Sequence, residues 1–427
     1  MRASSRVLCL ALVVLAAACT GSESPSEETT SVGEVRIGVL APLTEGDKAV
    51  GTESLRGAQL AATLLNGEEG EVSLAGIGPD GLARLGSPKV TIVQGDTRGE
   101  PARGASEAAR LVTAERAVGL VGAYNANVTN QAAQRSERLG VPFVNGDASA
   151  EFLTESGLDW FFRTGPTDRT LGESFFSALA VAGGPSVRSV GVLNAADQAG
   201  TVAGELVEDL GEQGGFQVTR VSFPPTQQDL TAQVSQVRGA RPDAVFVVTS
   251  NADQTRRALG AFQQLGYTPP GLLMFGAGFL ETPTLQAAGA ASRGLLTSAG
   301  WSREVAARNP AAKPVIELYE ETYGSPMTEV AAGTFTAVLT LAKAMDDAGS
   351  IEPERVRTAL LGLDIPGRDT IMPWNGVRFD ATHQNSGATG VVEQIDANDA
   401  LRVVFPDELA QEPVKWPLAT ARGQQSQ

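Results

Sequence analysis

Apolar residues fall into two alternating rhythms along this chain. The run Val35-Arg36-Ile37-Gly38-Val39-Leu40, closed by Pro42, reads as a buried strand, and Leu55, Ala58, Ala62 and Leu65 then recur at helical spacing. Val90–Val93 precedes a helical stretch over Pro101–Ala114, Val118–Val121 precedes one over Val128–Leu139, and Val141–Val144 forms another short strand. Strands that lack polar alternation are covered on both faces. Alternation with helices of this length implies right-handed crossovers and a parallel sheet.

A second series begins after Phe162-Arg163-Thr164-Gly165-Pro166. Its expected strands are Ser189–Leu193, Gln217–Ser222, Ala244–Val248 and Leu272–Phe275, with helices over Ala199–Gln213, Leu230–Val237 and Asp253–Leu265. Two α/β lobes in sequence are therefore predicted. Helical Pro314–Tyr323 and Val330–Ala348, followed by strand-like Val377–Phe379 and Gly390–Ile395, break the tidy division, as a chain returning to each lobe would. The Gly/Pro/Asp-rich stretch Gly67–Pro88 predicts a surface insertion.

One apolar run differs in kind. Val7–Ala18 follows Arg2 and Arg6 and precedes the acidic, Ser/Thr-rich tract 20–30. It is about a dozen residues long where a spanning helix needs about 20, so it reads as a secretory signal. Leu15-Ala16-Ala17-Ala18-Cys19 resembles the bacterial lipobox, whose cysteine is acylated and becomes the new N-terminus. Residues 19–33 then read as lipidated cysteine and flexible tether. Cys9 is the only other cysteine, so the mature domain is left without a thiol for a disulfide, a nucleophile or a metal site.

Composition removes several functions. The 427-residue chain carries net charge −16, and loss of the signal leaves 31 basic against 49 acidic residues, or −18. Such a surface repels phosphate backbones, so no nucleic-acid partner is expected. About 400 mature residues exceed one compact core and suit two domains.

Candidate chemistry is sparse. The single histidine, His383, lies in the loop-like run Asp380–Asn385 and reads as a solvated turn residue. No nucleophile elbow or P-loop occurs, and one histidine cannot build a histidine metal site. Gly276-Ala277-Gly278 has Glu281 where a dinucleotide loop needs its third glycine, so no cofactor is expected. The sequon Asn127-Val128-Thr129 is discounted beside a bacterial lipobox. An enzyme is accordingly the least supported class.

What remains are loops at the carboxyl ends of parallel strands, where open α/β sheets bind ligands. One carries Tyr124, Asn125, Asn127 and Thr129, the other Asp147, Ala148 and Ser149. Both open helical turns, whose free N–H groups suit carboxylates, amides and other electron-rich groups. The same residue types are also ordinary N-caps and turn formers.

The chain resembles the branched-chain amino-acid-binding family, the Leu/Ile/Val-binding-like solute receptors of ABC importers. The resemblance runs from Val35 to about Pro417. It is carried by Ile37-Gly38-Val39-Leu40-Ala41-Pro42-Leu43-Thr44 with Gly51, Arg56-Gly57-Ala58-Gln59-Leu60-Ala61, Asp96, Val121-Gly122, Gly140-Val141-Pro142, and Phe162-Arg163-Thr164-x-Pro166-x-Asp168-x-x-x-Gly172. It implies the α/β type I periplasmic-binding-protein fold, with two doubly wound parallel-sheet lobes joined by a three-strand hinge. One lobe would hold 34–164 plus 299–366, the other 165–298 plus 367–418, with 1–18 as signal and 419–427 as a polar tail. The implied role is an extracytoplasmic lipoprotein, anchored to the cell membrane, that closes on a small polar solute (amino acid, amide or related metabolite). It would present that solute to the permease subunits of an ABC importer. A sensory module of the same fold is the alternative.

The resemblance adds Asp197, Ser250 and Gly278 to the site, and it also marks departures. Ala126 stands where a ligand-binding serine is usual, Asp147 replaces a small residue, and Val50, Ala199 and Ser250 stand where tyrosines are common. The glutamate that pairs the ligand ammonium would fall near Ala277 or Gly278. Asp147, Asp197 or Glu281 would have to replace it, because an unpaired buried ammonium is costly. Tyr124, Phe279 and Trp301 are candidates for a rebuilt aromatic wall.

Overall fold

A computed structural model describes residues 33–45, 47–68, 74–183, 186–276 and 292–418. The signal sequence, Cys19, the segment with Gly278, Phe279 and Glu281, and the 419–427 tail lie outside the described residues.

The first sheet is built from β1 (Glu34–Ala41), β2 (Lys89–Asp96), β3 (Gly119–Gly122), β4 (Phe143–Asn145) and β5 (Phe161–Arg163). Their order is β2-β1-β3-β4-β5, and every pairing is parallel. The crossovers are α1 (Lys48–Leu65), α2 (Pro101–Thr113), α3 (Ala126–Leu139) and α4 (Phe152–Glu155). Side chains alternate across a strand, and here both faces are apolar. Val35, Ile37, Val39, Val121 and Val144 join one core cluster, while Leu40, Leu120, Phe143 and Phe161 join another with Leu111 and Val128 of α2 and α3.

The second sheet repeats the design. Helices α5 (Asp168–Gly183), α6 (Gln198–Gln213), α7 (Thr231–Gly239) and α8 (Ala252–Gln264) cover β6 (Ser189–Ala195), β7 (Gln217–Phe223), β8 (Ala244–Thr249), β9 (Gly271–Gly276) and β10 (Leu296–Ala299). Along β8, Val245 and Val247 enter one cluster, whereas Ala244, Phe246 and Val248 enter the opposite one. The order β7-β6-β8-β9-β10 is parallel and reproduces that of the first sheet. Beyond it β13 (Val391–Ile395) and β14 (Leu401–Phe405) add antiparallel, so this sheet is mixed rather than wholly parallel.

Between β10 and β13 the chain returns to the first lobe as α9 (Arg303–Ala306), α10 (Ala312–Tyr323), α11 (Glu329–Ala348) and α12 (Pro353–Leu361). Helix α11 lies on α1 closely enough that a Cβ on Gly57 would stand 2.1 Å from the carbonyl oxygen of Ala331. Backbone cannot yield there as a side-chain tip would. Gly57→Ala should therefore lower stability by about 1–3 kcal/mol through overpacking, read as a fall in denaturation midpoint.

Several expectations need correction. The lobe change expected at 366/367 lies later in the packing, because Ile371, Met372, Trp374, Val377 and Phe379 are buried in the first lobe's core. The expected strand Val377–Phe379 is reduced to β12 (Gly376–Val377), paired with β11 (Ile365–Pro366). Where it is described, at 67–68 and 74–88, the 67–88 stretch is not a surface insertion. Its Leu74, Ile77, Leu82 and Leu85 are buried in that same core, and the Arg84 amide donates to Asp346 at 2.8 Å. His383 is not a solvated turn residue either, being 8% exposed. It stacks on Phe162 at 4.4 Å between centroids, with Nδ1 3.1 Å from the Phe161 carbonyl.

The chain thus crosses between sheets after Arg163, after Ala299 and between Phe379 and Val391. Asn385 knits these crossings, its Nδ2 donating to the carbonyls of Thr164 at 2.9 Å and Gly376 at 3.0 Å. Trp374 Nε1 donates to the Gly300 carbonyl at 2.6 Å. No helix among the described residues is long and apolar enough to cross a membrane.

Candidate functional site

In each sheet the strand order reverses once, between β1 and β3 and again between β6 and β8. At such switch points the loops leave the sheet in opposite directions and open a crevice at the carboxyl ends of the strands. Gly122 makes the exit from β3 possible. Its φ is 121°, and a Cβ would stand 2.1 Å from the Leu40 carbonyl oxygen.

The loops of the two switch points meet. Asn125 caps α3, its Oδ1 accepting from the amides of Asn127 at 3.0 Å and Val128 at 3.4 Å. Its Nδ2 donates across the cleft to the Ser250 carbonyl at 2.5 Å. Asn127 Oδ1 accepts from the Ala199 amide at 3.3 Å, and Asn130 Nδ2 donates to Gln198 Oε1 at 3.4 Å. The Asp47 carboxylate accepts from the Ala252 amide, and burial raises its pKa. Asp197 caps α6 through the Gly200 amide at 2.9 Å. It also accepts from Ser250 Oγ at 2.6 Å and from Gln254 Nε2 at 2.9 Å.

A cavity of about 520 Å³ opens between these loops, within the range of small-molecule sites. Asp47, Arg98 and Asn125 line it from the first lobe, and Asp197, Gln254 and Arg256 from the second. Arg98 and Arg256 are additions to the expected site. Arg98 lies two residues past the carboxyl end of β2, so the same loop rule could have found it. Arg256 sits on α8 and reads as a solvated helical charge until the lobes are brought together.

The β4 loop is organised from below. Asn145 Nδ2 donates to the Gly122 carbonyl at 2.6 Å, and its Oδ1 accepts from the Ala148 amide at 3.0 Å, holding the two first-lobe loops side by side. Arg163, with no exposure to solvent, donates to the carbonyls of Ala148 at 3.3 Å and Ala150 at 2.7 Å, to Thr154 Oγ1 at 2.9 Å and to Gln384 Oε1 at 2.5 Å. Burial lowers its pKa to about 10, against the pull of nearby acids. One guanidinium thereby ties the β4 loop to the hinge.

Of the residues expected in the site, Asn125 and Asp197 line the cavity, and Asn127 and Ser250 make cross-cleft bonds beside it. Tyr124 stands next to them at φ 70°, a left-handed conformation uncommon for a non-glycine residue. Thr129 is fully buried, its Oγ1 accepting from the Ala123 amide at 3.3 Å. Ser149 hydrogen-bonds the Asp168 carboxylate, and Ala148 is buried. Asp147 Oδ2 accepts from Thr334 Oγ1 at 3.2 Å, and burial, with Glu329 nearby, raises its pKa to about 8. Trp301 is 3% exposed and donates to the Ile371 carbonyl at 3.0 Å, so it belongs to the hinge core and not to an aromatic wall. Among the described residues no group of three His, Cys, Asp or Glu is placed to hold a metal ion.

Two doubly wound lobes, facing switch-point loops and a cavity between them define a cleft-type solute-binding fold. A family model for periplasmic binding proteins matches residues 34–399, and the chain belongs to that family. Its members are extracytoplasmic binding proteins rather than enzymes. The Leu/Ile/Val-binding protein homolog 8 of Brucella abortus is 25% identical over 392 residues, covering 90% of this chain and 93% of the relative. Among solved structures, the leucine-binding protein LivK of Thermotoga maritima superposes with a TM-score of 0.72 at 24% identity, covering 86% of this chain and 97% of that one. LivJ of Streptococcus pneumoniae, solved with isoleucine, gives 0.70 at 21%, covering 87% and 100%. An R. palustris solute-binding protein solved with benzoate gives 0.71 at 17%, covering 87% and 96%. At these identities the structural likeness establishes the fold.

Proposed function

We propose that this chain is a lipid-anchored solute receptor of an ABC importer, closing two lobes on a small polar solute and presenting the closed form to the permease. The lobes are 34–164 with 299 to about 379, and 165–298 with about 391–418. The observation that carries the reading is the convergence of four switch-point loops, two from each lobe, on one cavity, with Asn125 and Asn127 reaching directly across the cleft. A solute seated there touches both lobes, so it favours the closed form by its differential contacts.

Acylation of Cys19 would keep the receptor beside its permease. A single acyl chain binds only marginally, so retention suits a multiply acylated cysteine. Cys19→Ser should release the protein from the membrane fraction into the soluble one.

A thermal-shift screen of the mature domain against amino acids, amides, urea, polyamines and aromatic acids tests the solute role. A solute at about 100 times its Kd adds about 2.7 kcal/mol. Asn125→Ala and Asn127→Ala, which each remove a cross-cleft hydrogen bond, should each weaken binding of the solute found about tenfold or more. Unchanged affinity in both variants would reject these loops as the site.

A further inference from the structure

The first-lobe hydroxyls expected in the site do not line the cavity. Thr129 is fully buried, Ser149 bonds Asp168, and the amides of Asn127 and Val128 at the start of α3 are capped by Asn125. Position 126 is alanine. The acceptor-binding capacity of the site therefore lies elsewhere on the cavity wall.

Three guanidiniums line that cavity, Arg98 from the first lobe and Arg256 and Arg257 from the second. The Arg98 Nε is shielded from solvent and has no hydrogen-bond partner among the described residues. Asp96 stands 3.6 Å from that Nε and Glu45 3.6 Å from Nη1, both beyond good hydrogen-bond length. Arg256 meets Asp253 at 3.3 Å, with both side chains well exposed. The neighbouring charges are more fully used. Arg257 is held by the Pro225 carbonyl at 2.7 Å and by the Gln227 carbonyl, and both Asp197 oxygens are occupied by Ser250, Gln254 and Gly200. Arg98 and Arg256 are thus the weakly paired cations of the wall, and they reach one cavity from different lobes.

We propose that the solute is a small organic acid whose anionic group bridges Arg98 of the first lobe and Arg256 of the second. The inference rests on the receptor reading above and deepens it. An anion shared between two guanidiniums gains charge-assisted hydrogen bonds from both lobes only when they are closed, so recognition and closure become one event. It also relieves the poorly paired Arg98 Nε.

The experiment compares acids with their matching amides. Benzoate, glutarate and glutamate are titrated against benzamide, glutaramide and glutamine, with isoleucine included, into the mature wild-type domain and into Arg98→Ala and Arg256→Ala. The expected result is that at least one acid binds and its amide binds at least tenfold more weakly. Each arginine variant should lose about 10- to 100-fold for the acid. Affinity should also fall as NaCl is raised from about 0.05 to about 0.5 M. Arg36→Ala, an exposed arginine paired with Glu34 away from the cavity, should bind as wild type does. The melting temperature of each free variant shows that it folds. An amide binding as tightly as its acid, or both arginine variants keeping affinity within twofold, overturns the bridge and leaves the receptor reading intact. No solute of either kind shifting the melt overturns both.

Discussion

Arg163→Ala should lower the unfolding free energy by about 3–5 kcal/mol, the range for removing one partner of a buried charged network. The guanidinium is wholly enclosed. Its removal leaves two loop carbonyls, the Thr154 hydroxyl and the Gln384 amide oxygen without their donor in a place water does not readily reach. Arg163→Lys should recover only part of this loss, because one ammonium cannot reach four acceptors arranged around a planar fork. Denaturant titration at neutral pH measures it, with Arg36→Ala as the contrast. Arg36 and Glu34 are 40% and 39% exposed, and such pairs contribute about 0–1 kcal/mol. Equal midpoints for the two alanine variants would show that Arg163 does not carry the hinge. Because Arg163 also holds the Ala148 carbonyl, its loss should loosen the β4 loop and weaken solute capture. Hydrogen exchange at residues 147–150 reports that effect separately from global stability.

Arg163 also illustrates what the sequence could and could not disclose. The lobes were legible because both faces of each parallel strand are covered, leaving unbroken apolar runs such as Ala244–Val248. Helix α5 has no clear signature in the sequence. Its Phe175 and Leu179 enter the core while Phe176 packs at its margin, so no clean polar face announces the helical period. β14 is not legible because it is an edge strand with partly exposed Leu401 and Arg402. The site divides in the same way. Asn125 and Asn127 are legible because carboxyl-end loops and N-caps are local signals, whereas Asp197 and Ser250 enter only through the family resemblance. Asp47 and Arg256 have no such signal, since register and lobe closure bring Asp47 to Ala252 and Arg256 to the cavity. His383 sits in a turn flanked by polar residues, a pattern that predicts solvent exposure. In fact its backbone, at φ 63°, turns the ring inward onto Phe162.

Stability should fall as pH rises from about 5 to about 8, opposite to the usual behaviour of salt-bridged carboxylates. Asp147 is raised to about 8 by burial, in part against the Thr334 hydrogen bond. Burial takes Glu329 to about 7 despite the amides of Gly300 and Trp301, and Glu393 to about 8, with Glu329 adding repulsion. In the unfolded chain such groups ionise near pH 4. Between pH 4 and these raised values the folded form therefore binds more protons than the unfolded form, and the linkage slope is negative. The contribution is fully present below the unfolded pKa, declines through the window, and levels off once the folded groups ionise. Asp147→Asn keeps an acceptor for Thr334 and abolishes the charge. It should flatten part of the slope and raise the melting temperature at pH 8, by about 2–4 °C for each kcal/mol recovered. General repulsion within a chain of net charge −16 acts in the same direction, so a surface control is needed. Glu354→Gln, whose side chain is 66% exposed, removes one charge without touching the buried acids and should leave the slope unchanged. If Asp147→Asn and Glu393→Gln both melt with the wild-type pH profile, these carboxyls ionise as freely in the folded protein as in water, and burial does not hold their protons.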